Sequence, residues 1–320
     1  MAVYTDVSDE ALARFLNDYD IGQVVSFKGI AGGVENSNFY LQTDRDAYIL
    51  TLYEKRVAEA DLPFFVGLMD HLAARGFPCP KPIRDKGGQA IKRLENRPAA
   101  IVSFLSGVDV QTPSLDQCRM AGEALADLHQ ASQGFEISRA NALAPAGWPA
   151  LAKASGRDAD KAQEGLADLI ESELAVITAA WPNDIPTGVI HADFFRDNVF
   201  FLDGKLSGVI DFYFACNDYL AYDIAVTINA WCFDKSLVFL PGNAAAILEG
   251  YRSRRPLQQS ECDALAILAR GAALRFLLTR IYDWLNVPKG ALVLPHDPTE
   301  FSARLRFFRD EGAAVFADLL

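Results

Sequence analysis

A chain of 320 residues, 51% hydrophobic and 22% charged, is long enough for a small lobe of roughly 100 residues beside a larger one. A formal charge of -12 without any basic run excludes an electrostatic nucleic-acid binder, because neutralising phosphates requires a basic surface. Five cysteines with no Cys-x-x-Cys pair argue against a disulfide framework or a zinc site, and residues 1–20 show no basic-then-apolar leader. No apolar run approaches the ~18 residues needed to span a bilayer, so the expectation is a cytoplasmic protein with no membrane partner.

In chain order, Ser8-Asp9-Glu10 predicts a helix start with acidic residues in its first turn, and Leu12, Phe15 and Leu16 share its apolar face. Strand-like runs follow at 24–30, 37–42 and 47–53, the last two joined by the turn Asp44-Arg45-Asp46. A helix over 62–75 precedes a segment with Pro78, Pro80 and Pro82, and strands at 89–94 and 99–104 complete an expected five-stranded antiparallel sheet with one inserted helix. Helix-length apolar periodicity then dominates, at 115–132, 159–180, 223–231, 244–253, 260–284 and 299–319. The expected fold class is therefore α+β, with a small sheet-bearing lobe over 1–104 and a larger, mainly helical lobe over 105–320.

Between the helices lies the most informative run, His191-Ala192-Asp193-Phe194-Phe195-Arg196-Asp197-Asn198. A strand at 198–202, the tight turn Asp203-Gly204 and a returning strand at 205–210 lead on to Asp211. Taken singly, these residues read as a cap, a turn and a strand end. Taken together, they bring a carboxamide and a carboxylate to one end of a hairpin, as two oxygen ligands of a shared hard cation would require. Asp193 is then placed to orient an acceptor hydroxyl or take its proton, while Asn198 and Asp211 hold Mg²⁺ against the phosphates of ATP. The loop around Gly32 and Gly33 would let backbone amides approach the β- and γ-phosphates, with side-chain help from Ser37 and Asn38, or equally Asn36. In the connection at 103–107, the backbones of Ser103 and Leu105 are the candidates to pair with adenine.

On His191, Asp193, Asn198 and Asp211 the chain resembles the aminoglycoside-phosphotransferase-like kinases, distant relatives of protein kinases with the same two-lobed plan. Asp211-Phe212-Tyr213 lacks the Gly that ends the corresponding protein-kinase motif. Within that group the likeness is to the homoserine kinases, through Gly32-Gly33-Val34-Glu35-Asn36-Ser37-Asn38, Gly76-Phe77-Pro78-Cys79-Pro80, Ala124-Leu125-Ala126-Asp127-Leu128-His129 and Arg270-Gly271-Ala272-Ala273-Leu274-Arg275. The resemblance implies ATP and Mg²⁺ as cofactors and the side-chain hydroxyl of L-homoserine as acceptor. Choline or ethanolamine, methylthioribose and aminoglycoside kinases of the same fold remain alternatives, as does a nucleotide-binding pseudokinase.

One expected pair is missing. Protein kinases carry a Lys on the third strand, paired with a Glu on the following helix. Here those positions fall on Thr51 and Phe65, with Lys55 just beyond the strand as a possible replacement. His129 reads as a packing or hydrogen-bonding residue rather than a ligand. For an amino-acid acceptor, Arg275 or Arg280 would clamp the α-carboxylate, and Asp218 or Asp223 would meet the ammonium. Arg270, Arg275 and Arg280 recur every five residues, about 140° apart, and so form no single stripe.

Overall fold

Ser8 caps the first helix as the sequence predicts, its hydroxyl accepting the N–H of Ala11, and α1 (Asp9–Leu16) buries Ala11, Leu12 and Phe15. The computed structural model describes residues 5–30, 36–54, 57–287 and 295–320, and the chain divides into two compact units. The first comprises Met1–Ser106 together with Phe135–Ile137 and Gly208–Tyr213; the second comprises Gly107–Gly134, Ser138–Ser207 and Phe214–Leu320. A division at 104/105 thus leaves out two short segments that return to the first unit.

In the first unit, β1 (Val24–Gly29), β2 (Ser37–Thr43), β3 (Ala47–Leu52), β4 (Pro82–Ile83), β5 (Lys92–Leu94) and β6 (Arg97–Ser103) form one antiparallel sheet in the order β1-β2-β3-β6-β4, with β5 also pairing β6. It has six strands rather than five, because the proline segment supplies Pro82 and Ile83 as an edge strand, where a missing N–H is tolerated. Burial alternates along β2, and its inward residues Phe39 and Leu41 join Leu12, Phe15, Leu50 and Ile101 in one core. The helix α2 (Leu62–Ala74) buries Phe64, Phe65, Val66, Leu68, Met69 and Leu72. Phe135 returns to this unit edge-on to Phe64 and His71.

The second unit is mostly helical. Its elements are α3 (Leu115–Ala131), α4 (Trp148–Ser155), α5 (Leu166–Ala180), β7 (Thr187–Ile190), β8 (Val199–Leu202), β9 (Lys205–Val209), β10 (Cys216–Tyr219), α6 (Leu220–Trp231), α7 (Pro241–Arg254), α8 (Gln259–Leu285) and α9 (Thr299–Leu319), with the end of β9 passing into the first unit. The helix expected over 159–180 is broken, because Gly165 at φ +73° stands immediately before α5, and α4 precedes it as a separate helix. A capping box at Ser114 and Gln117 starts α3. The hairpin β8–β9 turns on Asp203 (φ +50°) and Gly204 (φ +76°), as its sequence predicts. The pair β7–β10 is antiparallel and was not expected: four residues of mixed polarity such as Cys216–Tyr219 carry no strand signal of their own. Every residue of α6 is buried, and α6 packs on α8, which in turn packs on α9. Among the described residues no helix is long and apolar enough to cross a membrane.

Candidate active site

The candidate catalytic loop leaves β7 at Ile190. Its backbone must turn sharply at Ala192, which sits at φ +60°, a conformation that costs a non-glycine residue of order 1 kcal/mol and persists only when its surroundings enforce it. Asp223, in the first turn of α6, supplies that constraint. One carboxylate oxygen accepts the N–H of His191 at 2.7 Å, and the other accepts the N–H of Ala192 at 2.8 Å.

His129 of α3 lies 3.1 Å from Asp223, its Nε2 facing the carboxylate, and its Nδ1 is 2.8 Å from the Tyr251 hydroxyl. Because a carboxylate only accepts, Nε2 donates to Asp223, and the Tyr251 hydroxyl bonded at Nδ1 accepts from Arg255 at 3.1 Å. Arg255 closes the chain on Glu261 with two bonds of 2.9 and 3.1 Å. A second tether comes from the end of α6, where the Trp231 indole N–H donates to the Phe194 carbonyl at 2.9 Å. The loop is thus fixed from behind by α6, α3 and α7. His129 is a hydrogen-bonding residue, as expected. Asp223 corrects the sequence reading: it is fully buried with both oxygens engaged, so it positions the loop and is not free to meet a substrate ammonium.

At the front of the loop, Asp193 keeps 19% of its side chain exposed. The Asn198 carboxamide N–H₂ donates to the Asp193 carbonyl at 2.9 Å and to its carboxylate at 3.1 Å. That orientation leaves the carboxamide oxygen of Asn198 as the acceptor available to a cation. Arg275 of α8 places Nη1 3.8 Å from the other Asp193 oxygen, although its side chain is only 3% exposed. Its guanidinium lies 3.9 Å from the Phe276 ring centroid and 5.0 Å from that of Phe214, and Nη1 has no hydrogen-bond partner. A buried, desolvated donor beside a carboxylate is a ready receptor for an incoming anion.

The other substrate candidates lie elsewhere. Arg280 pairs with Glu300 at 2.7 Å and lies over Phe301, and makes no ion pair with Asp193. Asp218 on β10 accepts from Asn141 at 2.6 Å and from the N–H of Tyr219 at 2.7 Å, while burial raises its pKa. Of the four expected substrate residues, Arg275 alone touches Asp193.

In the first unit, Asp211 follows β9 at φ +62° and is exposed. Gly32 and Gly33 lie outside the described residues, as does Lys55. Ser37 is fully buried, with its hydroxyl donating to Glu54 at 2.8 Å. Asn38 accepts from the Thr51 hydroxyl at 2.8 Å across the β2–β3 register. Ser103 is bound at both backbone and hydroxyl to Lys81, through bonds of 2.9 Å. Leu105 packs where a Cβ on Gly208 would come within 2.6 Å of its Cδ1. Among the described residues no group of three or more His, Cys, Asp or Glu side chains could hold a metal. Asn198 and Asp211 each carry an oxygen donor of the kind a hard cation takes.

A lobe built on one antiparallel sheet, a helical lobe, and a His-x-Asp-x-x-x-x-Asn loop anchored from behind define a kinase-like phosphotransferase. The model of the phosphotransferase enzyme family matches residues 26–257, and the chain belongs to that family. A homoserine kinase of Methylobacterium radiotolerans is 60% identical over 97% of this chain and 96% of its own length. A second, of Xanthobacter autotrophicus, is 57% identical over 98% of each. Among solved structures, an amicoumacin kinase in complex with AMP-PNP and Ca²⁺ superposes with a TM-score of 0.74 over 98% of this chain and 97% of that one, at 14% identity, a likeness of fold.

Proposed function

We propose that this chain transfers the γ-phosphoryl group of ATP to the side-chain hydroxyl of L-homoserine, giving O-phospho-L-homoserine and ADP. Identities of 60% and 57% over nearly the whole chain to two homoserine kinases support the substrate. The single structural observation that carries it is Arg275, a buried guanidinium with an unpartnered Nη1 3.8 Å from Asp193. The α-carboxylate of an amino acid fits that receptor, and a choline or a sugar would leave it unmatched.

In this reading the acceptor oxygen attacks the γ-phosphorus and its proton passes to the Asp193 carboxylate. The bond from the γ-phosphorus to the β–γ bridging oxygen breaks, and the electron pair leaves on ADP. Asn198 fixes the Asp193 side chain through its amide, and Asp223 and Trp231 hold the loop that carries both. Asn198 and Asp211 would hold Mg²⁺, which supplies charge neutralisation of the phosphates when bound. Asn38, and the backbone of Gly32, Gly33, Ser103 and Leu105, remain the proposed contacts to nucleotide; Asp218 remains the proposed contact to the ammonium.

The test is ADP release with homoserine, choline, methylthioribose and an aminoglycoside as alternative acceptors. Turnover with homoserine and its loss in Asp193→Ala, with ADP binding retained, is the expected result. Turnover confined to another acceptor would sink the substrate assignment, and an active Asp193→Ala would remove the proposed base.

A further inference from the structure

Arg275 is buried without the close, hydrogen-bonded carboxylate that usually accompanies a buried arginine. Its Nη1 stands 3.8 Å from Asp193 Oδ1 and has no hydrogen-bond partner. Ring faces take the place of an acid: the guanidinium carbon lies 3.9 Å from the ring centroid of Phe276 and 5.0 Å from that of Phe214. The first of these contacts joins consecutive residues of α8. Neighbours on a helix point about 100° apart, so the Arg275 side chain must fold back across the Phe276 ring, and only a ring fixed in place can hold it there.

Phe276 is fixed in this way. It is buried, and its ring stacks on that of Phe301 of α9, with centroids 5.0 Å apart and planes at 28°. Phe301 is fully buried in turn, with the guanidinium carbons of Arg280 and Arg304 each 4.5 Å from its centroid. Phe276 also reaches the catalytic loop, where its ring meets that of Phe195 at 4.8 Å and 67°. The Phe195 N–H donates to the Asp193 carbonyl at 2.7 Å. One side chain therefore touches both the arginine beside Asp193 and the loop that carries Asp193. All of these residues belong to the second unit.

We propose that Phe276 is a positioning residue that determines acceptor specificity. It holds the Arg275 guanidinium by its ring face and, through Phe195, sets that guanidinium at a fixed distance from Asp193. An acceptor whose carboxylate seats on the arginine then has its hydroxyl placed beside the aspartate. A ring suits this point better than an acid. A carboxylate partner would fill the guanidinium fork with two hydrogen bonds and compete with the anion of the acceptor, whereas a π-face attracts the cation and consumes none of the N–H groups along its edge. Such a holder selects acceptors that carry an anionic group at a set span from the hydroxyl, and it disfavours cationic or neutral ones that leave the buried arginine unmatched. Both roles rest on the homoserine reading of Asp193 and Arg275.

The test replaces Phe276 in the full-length protein by phenylalanines carrying one, two and three ring fluorines, which drain negative charge from the ring face and barely change its size. The KM for homoserine is expected to rise with each fluorine, while kcat and the KM for ATP change little. Phe276→Leu removes the face altogether and should raise the homoserine KM roughly five- to thirtyfold, the range of a desolvated cation–π contact. A ring that only fills space predicts fluorinated forms equal to wild type, and that result would overturn the proposal, as would a loss confined to kcat. A second readout needs no acceptor: the side-chain Nε–H proton resonance of Arg275 in the ligand-free protein, identified by its disappearance in Arg275→Lys. Ring-face contact shifts it upfield, and Phe276→Leu should carry it toward the position of an exposed arginine; a resonance indifferent to residue 276 would also overturn the proposal. The two readouts separate the failures. If the resonance follows residue 276 while homoserine neither binds nor turns over, the substrate assignment falls and the hold of Phe276 on Arg275 stands.

Discussion

Asp193 and Asp223 are both aspartates near the catalytic run, and their environments give them different tasks. Asp193 is partly exposed and held through Asn198, whereas Asp223 is fully buried under two backbone N–H groups and a histidine. Sequence spacing singled out both but could not separate them, because burial is set by α6, whose every residue is covered. A lone carboxylate in an otherwise apolar helix start was the available signal, since such a group is found only where donors converge on it. Arg275 was legible as a candidate and so was Arg280, and only packing distinguishes them. Arg275→Lys keeps the charge and loses the planar fork. We expect the KM for homoserine to rise roughly ten- to a hundredfold with a smaller change in kcat. Steady-state kinetics decide the matter: a fall in kcat with an unchanged KM would mean that Arg275 serves Asp193 rather than the acceptor.

Among elements, the strands and first helix of the sheet-bearing unit were readable because alternation and capping are local. The contact between α3 and α7 was not. Gly122 on α3 faces the Ile247 carbonyl, where an added Cβ would lie 2.1 Å away, and Gly250 on α7 faces the Arg119 carbonyl at 2.0 Å. The two glycines let the helix backbones touch, which brings His129 of α3 within reach of Tyr251 of α7. Neither stands out in sequence, since a glycine within a helical pattern shows only a weakened helix. Gly122→Ala must push backbone against backbone and should destabilise the protein by roughly 1–3 kcal/mol. Thermal melting would show it as a clear drop, and a melting temperature equal to wild type would mean that the helices separate without cost. Activity should fall along with it, because the spread helices draw His129 away from Tyr251.

For the whole molecule, thiols report on the packing. Cys79, Cys118, Cys216 and Cys232 are buried and unpaired, while Cys262 is half-exposed. Burial pushes the Cys79 and Cys216 thiols up to about 12 and Cys118 up to about 11, and Cys232 is raised as well. A thiol reagent at neutral pH should therefore modify one cysteine quickly and the other four only on unfolding. More than one fast thiol would contradict the packing. The same shifts set an alkaline limit. A thiol whose folded pKa exceeds its unfolded value contributes stability that is complete below the unfolded pKa, about 9. That stability is lost as pH rises toward the folded values. The buried tyrosines, also raised, add to the loss at higher pH. Denaturant midpoints should thus fall progressively above about pH 9; a flat profile up to pH 11 would contradict the raised pKa values.

The sequence by itself determined the reaction class, because the His-x-Asp-x-x-x-x-Asn run, its hairpin and Asp211 are local in the chain and each residue type has few other uses together. It also indicated that the ion pair of the third strand is missing, since Thr51 and Phe65 are visible as the wrong chemistry at the right places. Only the tertiary structure decided that Asp223 anchors the loop, and that Arg275 rather than Arg280 reaches Asp193. Those answers depend on which side chains are buried against which partners, across separations such as 191 to 223 or 193 to 275 that no local pattern encodes.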